Sequence, residues 1–206
     1  MKKHCLKSII LILISLITLS CNDGDTGTAL LSLSDSTDNS LSDSTDKMIL
    51  YRSDGANHMG NIGDRNAING LCAGFTSEKP SGYSNYVGMI SYTTSDLVDI
   101  SVPTDKEIWS NTTKIADNWN DLFDGNDLPA TLRELGVLPN DTDTWWSGSD
   151  NLGKIHSSGR HCTDFTDNTN AVQGEYGGAN QTNMMWIEQS PMTSCDASRY
   201  ILCLAY

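Results

Sequence analysis

Six cysteines in 206 residues constrain this chain more than any other feature, because four of them, Cys72, Cys162, Cys195 and Cys203, lie beyond an export-type leader. An oxidising destination turns such cysteines into crosslinks, and crosslinks limit which segments can be neighbours. Four cysteines allow three pairings. In a nested arrangement Cys72 joins Cys203 and Cys162 joins Cys195, so that the first half of the folded part is tied to the last residues. On chain entropy the outer of those loops contributes about 5 kcal/mol and the inner about 4 kcal/mol. Zinc is the competing use of clustered cysteines, but no Cys-x-x-Cys occurs, and adjacent His161 and Cys162 would face opposite ways on a strand. Disulfides are therefore the expectation, and no metal or other cofactor is.

The leader begins with Lys2, Lys3 and Lys7 and continues in an apolar run over residues 9–19, shorter than a membrane-spanning helix needs. A small residue, Ser20, stands directly before Cys21, which resembles the lipobox of bacterial lipoproteins. Residues 1–20 then read as a cleaved signal peptide carrying Cys5 away, and Cys21 as the lipidated N-terminus of an outer-membrane protein. Several acyl chains, at about 0.8 kcal/mol per buried methylene, make a durable anchor. Residues 21–46 are rich in Ser, Asp and Thr and repeat Leu33-Ser-Asp-Ser-Thr-Asp38 as Leu41-Ser-Asp-Ser-Thr-Asp46. So few apolar side chains cannot offset the entropy of ordering, and a disordered acidic tether of roughly 28 Å reach is expected.

Residues 47–206 suit one domain. They hold ten Lys and Arg against twenty Asp and Glu, a formal charge of −10, which disfavours nucleic acid and anionic membranes as partners, leaving membrane association to the lipid alone. The apolar run 48–51 fits a strand. Asp64 is placed to cap a helix whose Ala67, Ile68, Leu71 and Cys72 share a face. Strands are expected at 86–92 and 108–109, a helical face at Trp119, Leu122 and Phe123 ending at Gly125, and a second short helix over 127–135 ending at Gly136. The remainder lacks a helical period and reads as strands at 144–147, 160–165, 184–187 and 200–204. Helices early and strands late indicate an α+β domain.

The blocks Gly60-Asn-Ile-Gly63-Asp-Arg-Asn-Ala67 to Cys72, Val102-Pro103, Trp119-Asn-Asp-Leu-Phe-Asp-Gly125, Trp146-Ser-Gly-Ser-Asp150, Cys162, Cys195 and Tyr200-Ile-Leu-Cys203 stand in the order and approximate spacing of the endostatin domain, which they resemble across most of residues 48–206. With a lipobox in front, the chain is similar to the leptospiral endostatin-like outer-membrane lipoproteins. The resemblance implies a C-type-lectin-like fold with the nested pairs Cys72–Cys203 and Cys162–Cys195. It further implies a surface-exposed adhesin that binds host laminin, fibronectin or the complement regulator factor H. Endostatin's zinc histidines have no counterpart before His58, and Arg52, Arg65, Arg133, Arg160 and Arg199 are too scattered for a heparin site.

Catalytic patterns are sparse. No Gly-x-Ser-x-Gly elbow is present, and His58, His156 and His161 lie on Gly- or Ser-rich stretches, so a hydrolase is a minor alternative beside an envelope lipoprotein without a host partner. Asp141, Asp143 and Asp150 miss the EF-hand spacing. The segment 173–194, between the inner cysteines, offers Tyr176, Met184, Met185, Trp186 and Met192. Aromatic and Met side chains concentrate at interface cores, and loops on rigid scaffolds carry binding residues, which makes this the candidate binding loop.

Overall fold

A computed structural model describes residues 46–156 and 159–206. The expected signal peptide, the expected lipidation site Cys21 and the expected tether, apart from its last residue, lie outside the described residues. Among those described, no helix is long and apolar enough to cross a membrane.

The hydrophobic run at the start of the domain becomes β1 (Lys47–Arg52), and Asp64 caps α1 (Arg65–Gly74) by accepting a hydrogen bond from Ala67 N at 2.9 Å. Then follow β2 (Tyr86–Gly88), β3 (Glu107–Trp109), β4 (Lys114–Ala116), β5 (Thr144–Trp146), β6 (Gln173–Gly174), β7 (Tyr176–Gly178), β8 (Thr193–Ser194) and β9 (Leu202–Ala205). Five of them form one sheet in the order β2-β9-β1-β3-β4, in which β1 runs parallel to β3 and antiparallel to β9. Strands β5 and β7 pair antiparallel, as do β6 and β8. Among the described residues the architecture is α+β, with one regular helix and a dominant sheet.

Alternation along the strands sorts the core into two layers, as a period of two requires. Met48, Leu50, Leu202 and Leu204 face one side with Trp119, Phe123, Trp145 and Trp186, while Tyr51, Ile201, Cys203 and Ala205 face the other with α1. The neighbours Trp145 and Trp146 accordingly enter opposite layers. All four domain cysteines lie in the α1 layer, where Cys72 is bonded to Cys203 and Cys162 to Cys195. This is the nested pairing. Helix α1 buries Ile68 and Cys72, whereas Ala67 and Leu71 are exposed, so its core face is narrower than the spacing suggests.

Several segments differ from their sequence expectation. Strand β2 ends at Gly88, and Met89 to Tyr92 run on buried but outside the ladder, with Arg65 hydrogen-bonded to the carbonyls of Gly88 and Ile90. Trp119 precedes a 3-10 turn, Asp121–Phe123, instead of joining a longer helix. The expected helix over 127–135 is a set of turns. Thr131 and Glu134 exchange cap hydrogen bonds, yet Gly136 takes φ +72° and both Val137 N and Leu138 N return to Leu132 O, closing the turn at once. The expected strand over 160–165 is a left-handed turn: Cys162, Thr163, Asp164 and Phe165 have φ of 50°, 53°, 59° and 57°. The expected strand at 184–187 is a 3-10 turn, Met184–Trp186, capped by Asn183.

Candidate functional site

The 173–194 segment leaves the inner disulfide through β6 and β7 and returns through the 3-10 turn and β8. It is bound closely to the scaffold. Trp145 Nε1 donates to Trp186 O at 2.9 Å, Ser147 Oγ to Ile187 O at 2.6 Å and Leu128 N to Thr182 O at 2.8 Å, while within the segment Gln189 N donates to Tyr176 O at 2.8 Å. Close approach demands glycine at 177, where a Cβ would lie 1.9 Å from Trp186 O.

The five candidate contact residues separate into two groups. Met184 is the exposed one, at 50 %, and Met185 and Met192 are half-buried. Trp186 is a correction: at 2 % exposure it stacks 5.8 Å from Trp145 and 6.3 Å from Phe123, so it is a core side chain and no contact residue. Tyr176 is half-buried, with its ring 3.7 Å beneath the Arg199 guanidinium, which also lies 5.2 Å from Trp146 and hydrogen-bonds Thr144 Oγ1. Its face is therefore occupied by the protein's own cation.

Beneath the loop lies an ionic cluster that sequence reasoning missed. Glu175 is fully buried, its Oε2 3.3 Å from Arg160 Nη1 and its Oε1 without a hydrogen-bond partner among the described residues. Burial raises its pKa from 4.5 to about 7 against the opposing pull of Arg160. Burial likewise depresses Arg199 to about 10. Next to them His156 Nε2 sits 3.3 Å from Glu188 Oε1 and 3.4 Å from Arg160 Nη1, while Glu188 Oε2 accepts from Asn151 N at 2.9 Å. These charges come from four separated segments, so no spacing in the chain announces them. The one local hint is Glu175 itself, a lone carboxylate between Gly174 and Gly177.

No protein-family model matches the chain, and no curated protein does.

The remaining sequence candidates are accounted for locally. His161 Nδ1 accepts from Asp164 N at 2.8 Å inside the left-handed turn. His58 packs 5.8 Å from Phe75, and its burial lowers its pKa. The carboxylate of Asp143 accepts from Asn140 N, and that of Asp150 from Leu152 N and Lys154 N, so both close turns. Among the described residues no group of three or more His, Cys, Asp or Glu is gathered as metal ligands would be.

Proposed function

We propose that this chain is a lipid-anchored surface binding module of the endostatin-like, C-type-lectin-like kind, an adhesin for host extracellular-matrix or plasma proteins such as laminin, fibronectin or factor H. The observation that carries the reading is the disulfide pattern. Of three possible pairings, Cys72–Cys203 with Cys162–Cys195 is the one that the endostatin resemblance implies. It is supported by the position of the exposed Met184 with Met185 and Met192 on a loop fastened at both ends, since adaptable apolar side chains on a rigid frame suit protein recognition. The acid-rich surface adds a condition. Basic host segments are drawn to it by charge alone, so a specific contact must survive salt that screens exposed charges beyond about 8 Å.

Direct binding tests this. The chain from residue 22 onward is titrated against immobilised laminin, fibronectin and factor H at 0.15 M and 0.5 M salt. Saturable binding at both, weakened at least fivefold by Met184→Asp, is the expected result. Absence of saturable binding to all three overturns the adhesin reading. Protease shaving of intact cells checks the location, because a domain left uncut there would instead be an envelope component that does not face the medium.

A further inference from the structure

Strand β2 is the outer strand of the five-stranded sheet and pairs there with β9. Just before it Asn85 and Tyr206 exchange N–H to O bonds of 3.0 Å in both directions, and just after it Met89 N donates to Leu202 O at 2.9 Å. Antiparallel bonding alternates along a strand, so the N–H and C=O of Tyr86 and of Gly88 point away from β9 and out of the sheet. The fold satisfies one of these two positions itself. Asn69 Oδ1 accepts from Gly88 N at 2.9 Å, and Arg65 Nη1 donates to Gly88 O at 2.7 Å. At Tyr86, neither group has a partner among the described residues. An edge left open in this way is a template for another strand.

The open position borders a groove. Tyr206 is the common wall of two concavities, one also lined by Tyr83, Asn85, Pro103 and Lys106, the other by Asn69, Arg65, Val87, Asp99 and Ile100. Its hydroxyl donates to Ser101 O at 3.0 Å, which fixes the ring. Cations gather here although the domain's formal charge is −10. Arg65 and Lys106 line the concavities, and Lys79 Nζ lies 5.1 Å from the centroid of the Tyr86 ring. Arg65 is bonded to the carbonyls of Gly88, Ile90 and Ser95, and Lys79 to that of Ala73, so neither charge is neutralised by a carboxylate. Of the acids nearby, Asp99 is the only one in either lining, and Glu78 is held by Arg52 at 2.5 Å.

We propose that the β2 edge receives an extended, carboxylate-bearing peptide segment of a partner protein, which adds to the sheet by pairing with Tyr86 and lays alternate side chains in the two concavities. Main-chain bonds then supply affinity and the concavities supply selectivity, because a strand sends every second side chain to the same face. Charge decides the occupant. A second copy pairing through its own β2 would bring Arg65 and Lys79 against their counterparts, like against like, whereas a carboxylate meets both favourably. None of these residues belongs to the 173–194 loop, so the groove stands apart from the adhesin reading.

The test follows the amide of Tyr86 by NMR in the 15N-labelled chain from residue 22 onward. Three blocked hexapeptides are the probes: Val-Thr-Val-Glu-Val-Thr, its counterpart with Lys for Glu, and the first peptide N-methylated at its two central residues, which removes a donor from either edge. The Glu peptide is expected to bind with a Kd of about 1 mM, as two main-chain bonds and a charge contact suggest. At saturation hydrogen exchange at Tyr86 should slow about fivefold, with residues 173–194 unchanged. The Lys peptide should bind about threefold more weakly and the N-methylated one about tenfold. No change at Tyr86 with about 5 mM Glu peptide overturns the proposal, as does equal binding of the Lys or the N-methylated form. Shifts at Tyr86 that follow the concentration of the chain alone would assign the edge to a second copy and overturn it too. Failure of the peptides leaves the adhesin reading standing, and failure of laminin, fibronectin and factor H to bind leaves the groove standing.

Discussion

Two buried tyrosines of the α1 layer show how much a single oxygen decides. Tyr51 donates its hydroxyl to Cys72 O at 2.8 Å, which fastens β1 to the helix, whereas the buried hydroxyl of Tyr92 has no hydrogen-bond partner among the described residues. An orphaned buried hydroxyl costs more than a made bond returns. Tyr51→Phe is therefore expected to destabilise by about 1 kcal/mol, and Tyr92→Phe to be neutral or stabilising by up to about 1 kcal/mol, in urea unfolding. A larger loss at Tyr92 than at Tyr51 would contradict this account. Burial raises the pKa of both phenols above the ordinary 10. Below pH 10 both states keep the proton and nothing changes. Above it the unfolded chain ionises first, so stability falls as pH rises. A spectrophotometric titration should find these two phenols ionising late, together with unfolding, and in Tyr51→Phe one of them should vanish from that step.

At the scale of elements, the left-handed turn over Cys162–Phe165 is the costliest piece of backbone, since each L-residue held there loses about 1–2 kcal/mol. It is kept by what it places. Phe165 is buried 5.7 Å from Tyr92 and 6.1 Å from Trp146, Cys162 reaches Cys195, and Asp164 accepts from Thr93 N at 2.8 Å and Thr93 Oγ1 at 2.9 Å. Thr163 is exposed and β-branched, the poorest residue for that conformation. Thr163→Gly should stabilise the domain by about 1 kcal/mol in thermal or urea unfolding, against the usual cost of a loop glycine. A loss instead would show that the turn is not strained. This turn also marks where sequence reading stops. The ends of the domain were legible because alternation and a cap are local: β1, β5, β9 and α1 follow from Met48 to Tyr51, Trp145 with Trp146, Leu202 with Leu204, and Asp64. At Cys162 and Phe165 the same apolar spacing is satisfied by a conformation that only tertiary contacts sustain, and Trp186 with Ile187 looks like a strand because two adjacent buried residues suit either a ladder or a tight turn. Of the candidate loop, its borders were readable from the cysteines. Its polar floor was not, because His156, Arg160, Glu175, Glu188 and Arg199 meet only through the fold.

For the molecule as a whole, both disulfides lie in one layer yet close different spans, 131 and 33 residues apart in sequence. Chain entropy assigns them about 5 and about 4 kcal/mol, a large share of the 5–15 kcal/mol that a domain commonly has. The inner pair has an offset, because without it the left-handed turn can relax and recover part of its strain. The double variant Cys72→Ala/Cys203→Ala is therefore expected to lose cooperative unfolding at 37 °C, and Cys162→Ala/Cys195→Ala to remain folded with faster proteolysis confined to 160–195. Equal melting behaviour of the two variants would refute that division. Both sulfur pairs are fully buried, and Gly60 covers the inner one so closely that a Cβ there would lie 2.5 Å from Cys162 Sγ. Strand β9 imposes one more condition. It is inserted between β2 and β1, so the two earlier strands have nothing between them until residues 202–205 arrive. The edge strand β2 is joined to the rest of the sheet through β9 alone. The same four residues that complete the sheet therefore also carry Cys203 to Cys72, so one short segment closes both the ladder and the outer crosslink.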